Sequence, residues 1–279
     1  MQKFSLHAYA ILVFGDMPAI AKLMRMKGVN SIHPCCACNI TAIFNHDLLA
    51  GGKKTYYTPL WRPAAAGECY NPSSLPLRTH DEFVRQATQV SEALNATVKK
   101  EQAKQFGING LPILSSLSSL SFPSSFPHDF MHILENIIPM LVNLWTGSFK
   151  GLDDGKEDYL LASSVWSAIR AACTKSSQTT PSSFGCQVPN IDTECHFFKA
   201  ETWLLFATIL GPVLLQGRFK KKVYYDHFVL FVKLINKCMQ FHLTTEEIDS
   251  IEQGFILWVE KYEWYIKFAF LVSIVAENI

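Results

Sequence analysis

Ala8-Tyr9-Ala10-Ile11-Leu12-Val13-Phe14-Gly15-Asp16-Met17-Pro18 is the stretch whose reading decides the fold. The apolar run Ala8 to Phe14 mixes β-branched and aromatic side chains and carries no charge. Such a run predicts a strand buried on both faces. Gly15-Asp16 ends it. Pro18 suits the first turn of a helix, which is expected to run to about Met26 and stop at Gly28. Asp16 is thereby expected at the C-terminal end of a central strand. It can serve there as the N-cap of the helix, since aspartate is favoured at that position. It can equally serve as a magnesium-binding carboxylate, because open sheets place their sites at the carboxyl ends of strands.

Beyond this start the pattern turns helical. Ile32 to Phe44 predicts a second strand, interrupted by Pro34-Cys35-Cys36-Ala37-Cys38. Residues 50 to 80 are rich in Gly, Pro and Tyr and read as irregular. Asp81 to Gln105 has helical spacing, and a serine-rich loop follows from Ser115 to Ser125. Asp129 to Trp145 is apolar and long enough for a helix, with Pro139 as a kink near its middle. Lys175 to Ser183 reads as a linker. Phe197 to Gln216 is strongly apolar. Phe228, Phe231, Val232, Ile235 and Met239 share one helical face. Thr244 and Glu247 form a capping box, after which Ile248, Ile251, Phe255, Trp258 and Tyr262 continue at helical spacing. The expected fold is mostly α with a small α/β part at the start.

Composition bounds the function. The 279 residues are 49% hydrophobic and 18% charged, which suits a packed globular chain rather than a disordered one. The formal net charge of +1 gives no global signature of a nucleic-acid binder, so DNA contacts must come from local patches. No secretory signal is visible, and Phe268 to Ala276 is too short to span a bilayer. A nuclear or cytoplasmic, non-secreted protein without a membrane partner is expected. In that compartment the eight cysteines are mostly reduced, so close cysteine pairs read first as metal ligands.

Cys35 and Cys38 form a C-x-x-C pair, a spacing that lets two thiolates reach one tetrahedral zinc. His128 and His132 stand at i and i+4 and project from one face if helical. Together the four residues can make a structural Cys₂His₂ site. The plainer alternatives are a chance cysteine pairing and a helix-capping His128. Glu201 is an acid inside the apolar run Phe197 to Gln216, suited to a site or to the first turn of a helix. Glu135, three residues after His132, competes with it or simply faces solvent. Arg218, Lys220, Lys221 and Lys222 form the densest basic cluster, a solvated turn or a phosphate contact.

These features occur in an ordered series that resembles the transposases of CACTA (En/Spm-like) elements in basidiomycete fungi. The resembling segments are His7 to Ala19, Pro34 to Cys38, Leu75 to Phe83, Gly110 to Leu114, Phe122 to His132, Leu144 to Gly147, Lys199 to Trp203 and His227 to Leu230. The resemblance covers about residues 5 to 263. It implies a ribonuclease-H-like core interrupted by a large helical insertion, with three acids holding two Mg²⁺ or Mn²⁺ ions for in-line attack on transposon-end DNA. Asp16, in the Gly-Asp-x-Pro-Ala segment, matches the second acid. Glu201 fits the third acid best, with Glu135 in reserve. Asp129-Phe-Met-His132 matches a D-x-x-H motif of the insertion.

The resemblance implies a partial core with the C-x-x-C over 1–48 and the insertion over 49–192. Core helices over 193–263 and a divergent tail over 264–279 complete it. The tail, Trp264 to Ile279, is expected to pack poorly. The first acid belongs on a strand upstream of Asp16, yet no acidic residue precedes Asp16 in this chain. The leading expectation is an incomplete transposase, inactive alone. The alternatives are a zinc-stabilised protein- or nucleic-acid-binding module, and a helical hydrolase using His128, His132 and Glu135.

Overall fold

The computed structural model describes residues 7–45, 55–57, 60, 62, 69–148, 157–176, 178–181, 184 and 198–276, with the side chains of 44, 45, 55–57 and 266–276 outside that description. The chain is mostly helical. It divides into two compact units, one of Met1–Asp47 with Gly52–Asp129 and one of Leu48–Gly51 with Phe130–Ile279. The division at 129/130 falls inside the stretch expected as one insertion.

In the first unit, helix α1 is Met17–Leu23. Strands β1 (Ile43–Asn45) and β2 (Thr55–Tyr57) pair antiparallel, with Phe44 opposite Tyr56. Helix α2 is His80–Ser91 and helix α3 is Ala96–Phe106. The helical spacing from Asp81 to Gln105 is therefore divided between two helices. Asn95 makes the break, because its side chain accepts from Val98 N–H at 2.9 Å and starts a new helix. Phe83 of α2 stacks on Phe122 with ring centres 5.0 Å apart, and Phe126 stacks on the other side at 4.7 Å. Ile20, Met24 and Ile108 close this core.

The expected strand Ala8 to Phe14 is a correction. The segment has no strand partner, and Tyr9 is 73%, Ile11 67% and Phe14 70% exposed. Its few anchors are Val13 N–H donating to Ser125 O and the Ser119 hydroxyl donating to Ala10 O. A strand needs a neighbouring strand to satisfy its backbone, and among the described residues none is supplied. The small α/β part reduces to the β1–β2 ribbon. The strand expected over Ile32 to Phe44 survives only in β1. Helix α1 also ends earlier than Met26, because Arg25 takes a left-handed φ of 54°.

Gly107 ends α3 at φ +73°, where a Cβ would lie 2.5 Å from the carbonyl oxygen of His33. Only glycine lets the segment preceding the cysteines approach the helix end that closely.

In the second unit, helices α4 (Phe130–Trp145), α5 (Ser163–Ser176) and α6 (Ala200–Leu205) are followed by a π turn at Phe206–Leu210 and by α7 (Gly211–Leu214). The strongly apolar run is thus not one regular helix. Pro212 has no N–H to continue the ladder, and Gly211 N–H reaches back five residues to Phe206 O. Helices α8 (Lys222–Cys238) and α9 (Thr245–Ala276) complete the unit. Leu134, Ile138 and Leu141 of α4 pack with Phe206, Phe228, Phe231 and Ile235 in one core. Trp145 meets Phe228 edge-on at 5.4 Å. The capping box forms at α9, with Thr244 N–H donating to Glu247 at 2.8 Å and Glu247 N–H donating to Thr244 Oγ1 at 3.2 Å. Met239 and Ile248, expected on buried faces, are 41% and 53% exposed.

In the last helix, Trp264 is 54% exposed and Tyr265 is buried at 8%. The side chains of Phe268, Phe270 and Leu271, on which the expected poor packing of the tail turned, lie outside the described residues. No described helix is long and apolar enough to cross a membrane.

Candidate functional site

The cysteine loop is pinned by a short antiparallel bridge. Cys38 pairs with Leu77, Arg78 N–H donates to Ala37 O at 3.0 Å, and Asn39 N–H donates to Pro76 O at 2.8 Å. This register carries the Arg78 side chain under the loop. Its Nε donates to Cys35 O and its Nη2 to Phe106 O, each at 3.2 Å. Arg78 is only 5% exposed, and its buried Nη1 has no hydrogen-bond partner. A buried cation therefore faces Cys35, Cys36 and Cys38.

The neighbouring Cys38 thiol, with the N–H groups of Cys38 and Ala37 and the charge of His128, brings Cys35 down to about 6, against the opposing effect of burial. Cys38 is driven the other way, by Cys35 and by burial. Cys36 is also raised, by burial and then by Cys35.

Of the expected zinc ligands, Cys35 and Cys38 are together and His128 acts on Cys35 through its charge. His132 belongs to the second unit. Among the described residues no group of three or more His, Cys, Asp or Glu side chains is arranged to hold a metal ion.

Asp16 stands at the start of α1 in extended conformation and accepts from Ala19 N–H at 2.6 Å. It does the work of an N-cap. The neighbouring run is exposed rather than sheet-bound, so Asp16 does not crown a central strand.

Glu201 lies in the first turn of α6, within the second unit, whereas Asp16 lies in the first. Glu135 of α4 accepts from Ala200 N–H at 2.9 Å, and its other oxygen is 4.0 Å from His132 Nε2. The two rival acids thus meet at one helix end. Beside them a cavity of about 790 Å³ is lined by Glu135, Asn136, Asn143, Trp166, Arg170 and Trp203, among others. Mixed aromatic and polar walls of this kind suit small-molecule sites.

The basic cluster sits between α7 and α8. Lys221 pairs with Asp158 and Lys222 with Asp226. Arg218 and Lys220 are exposed and unpaired with any described carboxylate. The residue that sequence reasoning missed is Arg78. It lies in the segment Leu75 to Phe83, but nothing in its local pattern marks an arginine as buried.

Comparison with protein-family profiles, curated proteins and solved structures finds no match.

Proposed function

We propose that the chain derives from the catalytic region of a cut-and-paste DNA transposase and that the 279-residue polypeptide does not cut DNA by itself. The ordered series of resembling segments motivates the descent. One observation carries the reading: a charge-free apolar run without strand pairing, largely exposed at Tyr9, Ile11, Leu12 and Phe14, leads directly into Asp16. That is how a core strand behaves when its sheet is not supplied. Two-metal chemistry on phosphodiesters needs several carboxylates converging on ions ~4 Å apart. Of such acids, the resemblance assigns Asp16 and Glu201, or Glu135 in its place, in this sequence.

In the intact enzyme these acids would hold Mg²⁺ or Mn²⁺ and act on transposon-end DNA. The test is a nicking assay on DNA bearing the element's own ends, with either ion. No cleavage is expected. Cleavage that vanishes in Asp16→Ala would overturn the claim of inactivity while supporting Asp16 as a catalytic residue.

A further inference from the structure

We propose that the cleft between α4 and α5 binds a small zwitterion with an aromatic body, of the class of the aromatic amino acids. Nothing in this depends on descent from a transposase. The cleft is a cavity of about 790 Å³ within the second unit. That volume lies in the usual range for small-molecule sites. Two of its walls are helix faces. Glu135, Pro139, Val142 and Thr146 of α4 stand at i, i+4, i+7 and i+11, and Ser163, Trp166 and Arg170 of α5 at i, i+3 and i+7. Phe198 and Trp203 also line the cavity, with ring centres 4.8 Å apart.

The two helical walls carry opposite charge. On α4 the Glu135 side chain is 36% exposed, and the 2.9 Å bond from Ala200 N–H holds its carboxylate in place. A carboxylate so held still accepts further hydrogen bonds. Pro139 has no N–H to give to the Glu135 carbonyl four residues earlier, so that oxygen is a second acceptor on the same helix. The Asn136 side chain lines the cavity beside them. An ammonium group, with three donors, suits this set. On α5 the Arg170 Nη2 donates to Ser167 Oγ at 2.9 Å, which orients a guanidinium fork suited to a carboxylate.

The pairing of signs selects the ligand. A phosphate-bearing molecule would set its charge against Glu135. A simple organic cation would set its charge against Arg170. A molecule with an ammonium at one end and a carboxylate at the other meets both walls. Trp166, Trp203 and Phe198 give its apolar body an aromatic surface.

The experiment titrates L-phenylalanine into the full chain and reads the heat of binding by calorimetry. One saturable site is expected. N-acetyl-L-phenylalanine lacks the ammonium, L-phenylalaninamide lacks the carboxylate, and L-alanine lacks the ring. Each should bind at least about tenfold more weakly. Glu135→Gln keeps an acceptor for Ala200 N–H but loses the charge, and it should weaken L-phenylalanine about tenfold, as should Arg170→Gln. Three outcomes overturn the proposal: no saturable binding, an analogue that binds as tightly as L-phenylalanine, or undiminished affinity in folded Glu135→Gln. The analogue series on the wild-type protein decides the matter even where a variant fails to fold.

Discussion

Glu135 accepts a hydrogen bond from the backbone N–H of Ala200 across 65 positions of sequence, at 2.9 Å. Helix α6 begins at Ala200, and Lys199 before it provides no side-chain cap. A carboxylate from α4 thus caps a helix it does not belong to, at the end where the helix dipole favours negative charge.

Glu135→Ala should destabilise the second unit by about 1–2 kcal/mol, the usual range for losing a cap. Glu135→Gln should cost less, because the amide oxygen can still accept. Urea denaturation of the three proteins at neutral pH measures the order. Equal stability of wild type and Glu135→Ala would show that the bond contributes nothing.

His227 makes stability depend on pH. Its ring is buried, stacked on Trp258 with centres 4.7 Å apart, and its Nε2 lies 2.9 Å from Trp258 O. Burial lowers its pKa from 6.5 to about 4 in the folded protein. Below 6.5 the unfolded chain takes up a proton that the folded chain refuses until about 4. Stability should therefore fall as pH drops through that window, by up to about 3 kcal/mol. His227→Phe should remove this contribution. An unchanged pH slope in that variant would refute the assignment.

Gly211→Ala tests the π turn. A Cβ there would stand 2.7 Å from Phe228 Cζ and 2.9 Å from Phe206 O. The aromatic ring can shift only into a filled core, and the carbonyl is backbone. A loss of about 1–3 kcal/mol is expected, with partial recovery when Phe228→Leu is added.

Ile11→Lys and Phe14→Lys should leave thermal stability within about 0.5 kcal/mol, since both side chains are largely exposed. They should, however, reduce aggregation measured by light scattering, because charge blunts an unpaired apolar segment. A large loss of stability would mean that the run is packed after all.

Local rules were legible where the partners are local. The Thr244–Glu247 box and the Asp16 cap each span three residues, and both form as the residue types require. The face of α8 was legible at Phe228, Phe231, Val232 and Ile235, all buried. The run Ala8 to Phe14 misled because apolar composition records what a segment can bury against, not whether anything covers it. Arg78 stayed hidden for the opposite reason. Its burial follows from the pairing of residues 77 and 78 with the cysteine loop, about forty positions earlier. Proline effects were half legible: Pro139 is accommodated inside α4, while Pro212 enforces a π turn.

The pairing of Lys221 with Asp158 and of Lys222 with Asp226 limits how this protein can hold a polyanion. With Arg218 and Lys220 as the uncommitted cations of the cluster, docking there displaces on the order of two condensed counterions from a duplex. Each contributes a slope of about −0.9 in log affinity against log salt. Between 50 and 200 mM salt the affinity of this patch would then fall only about tenfold, far less than for a surface built on six or more phosphate contacts. Binding of that kind is loose at every ionic strength and indifferent to base sequence.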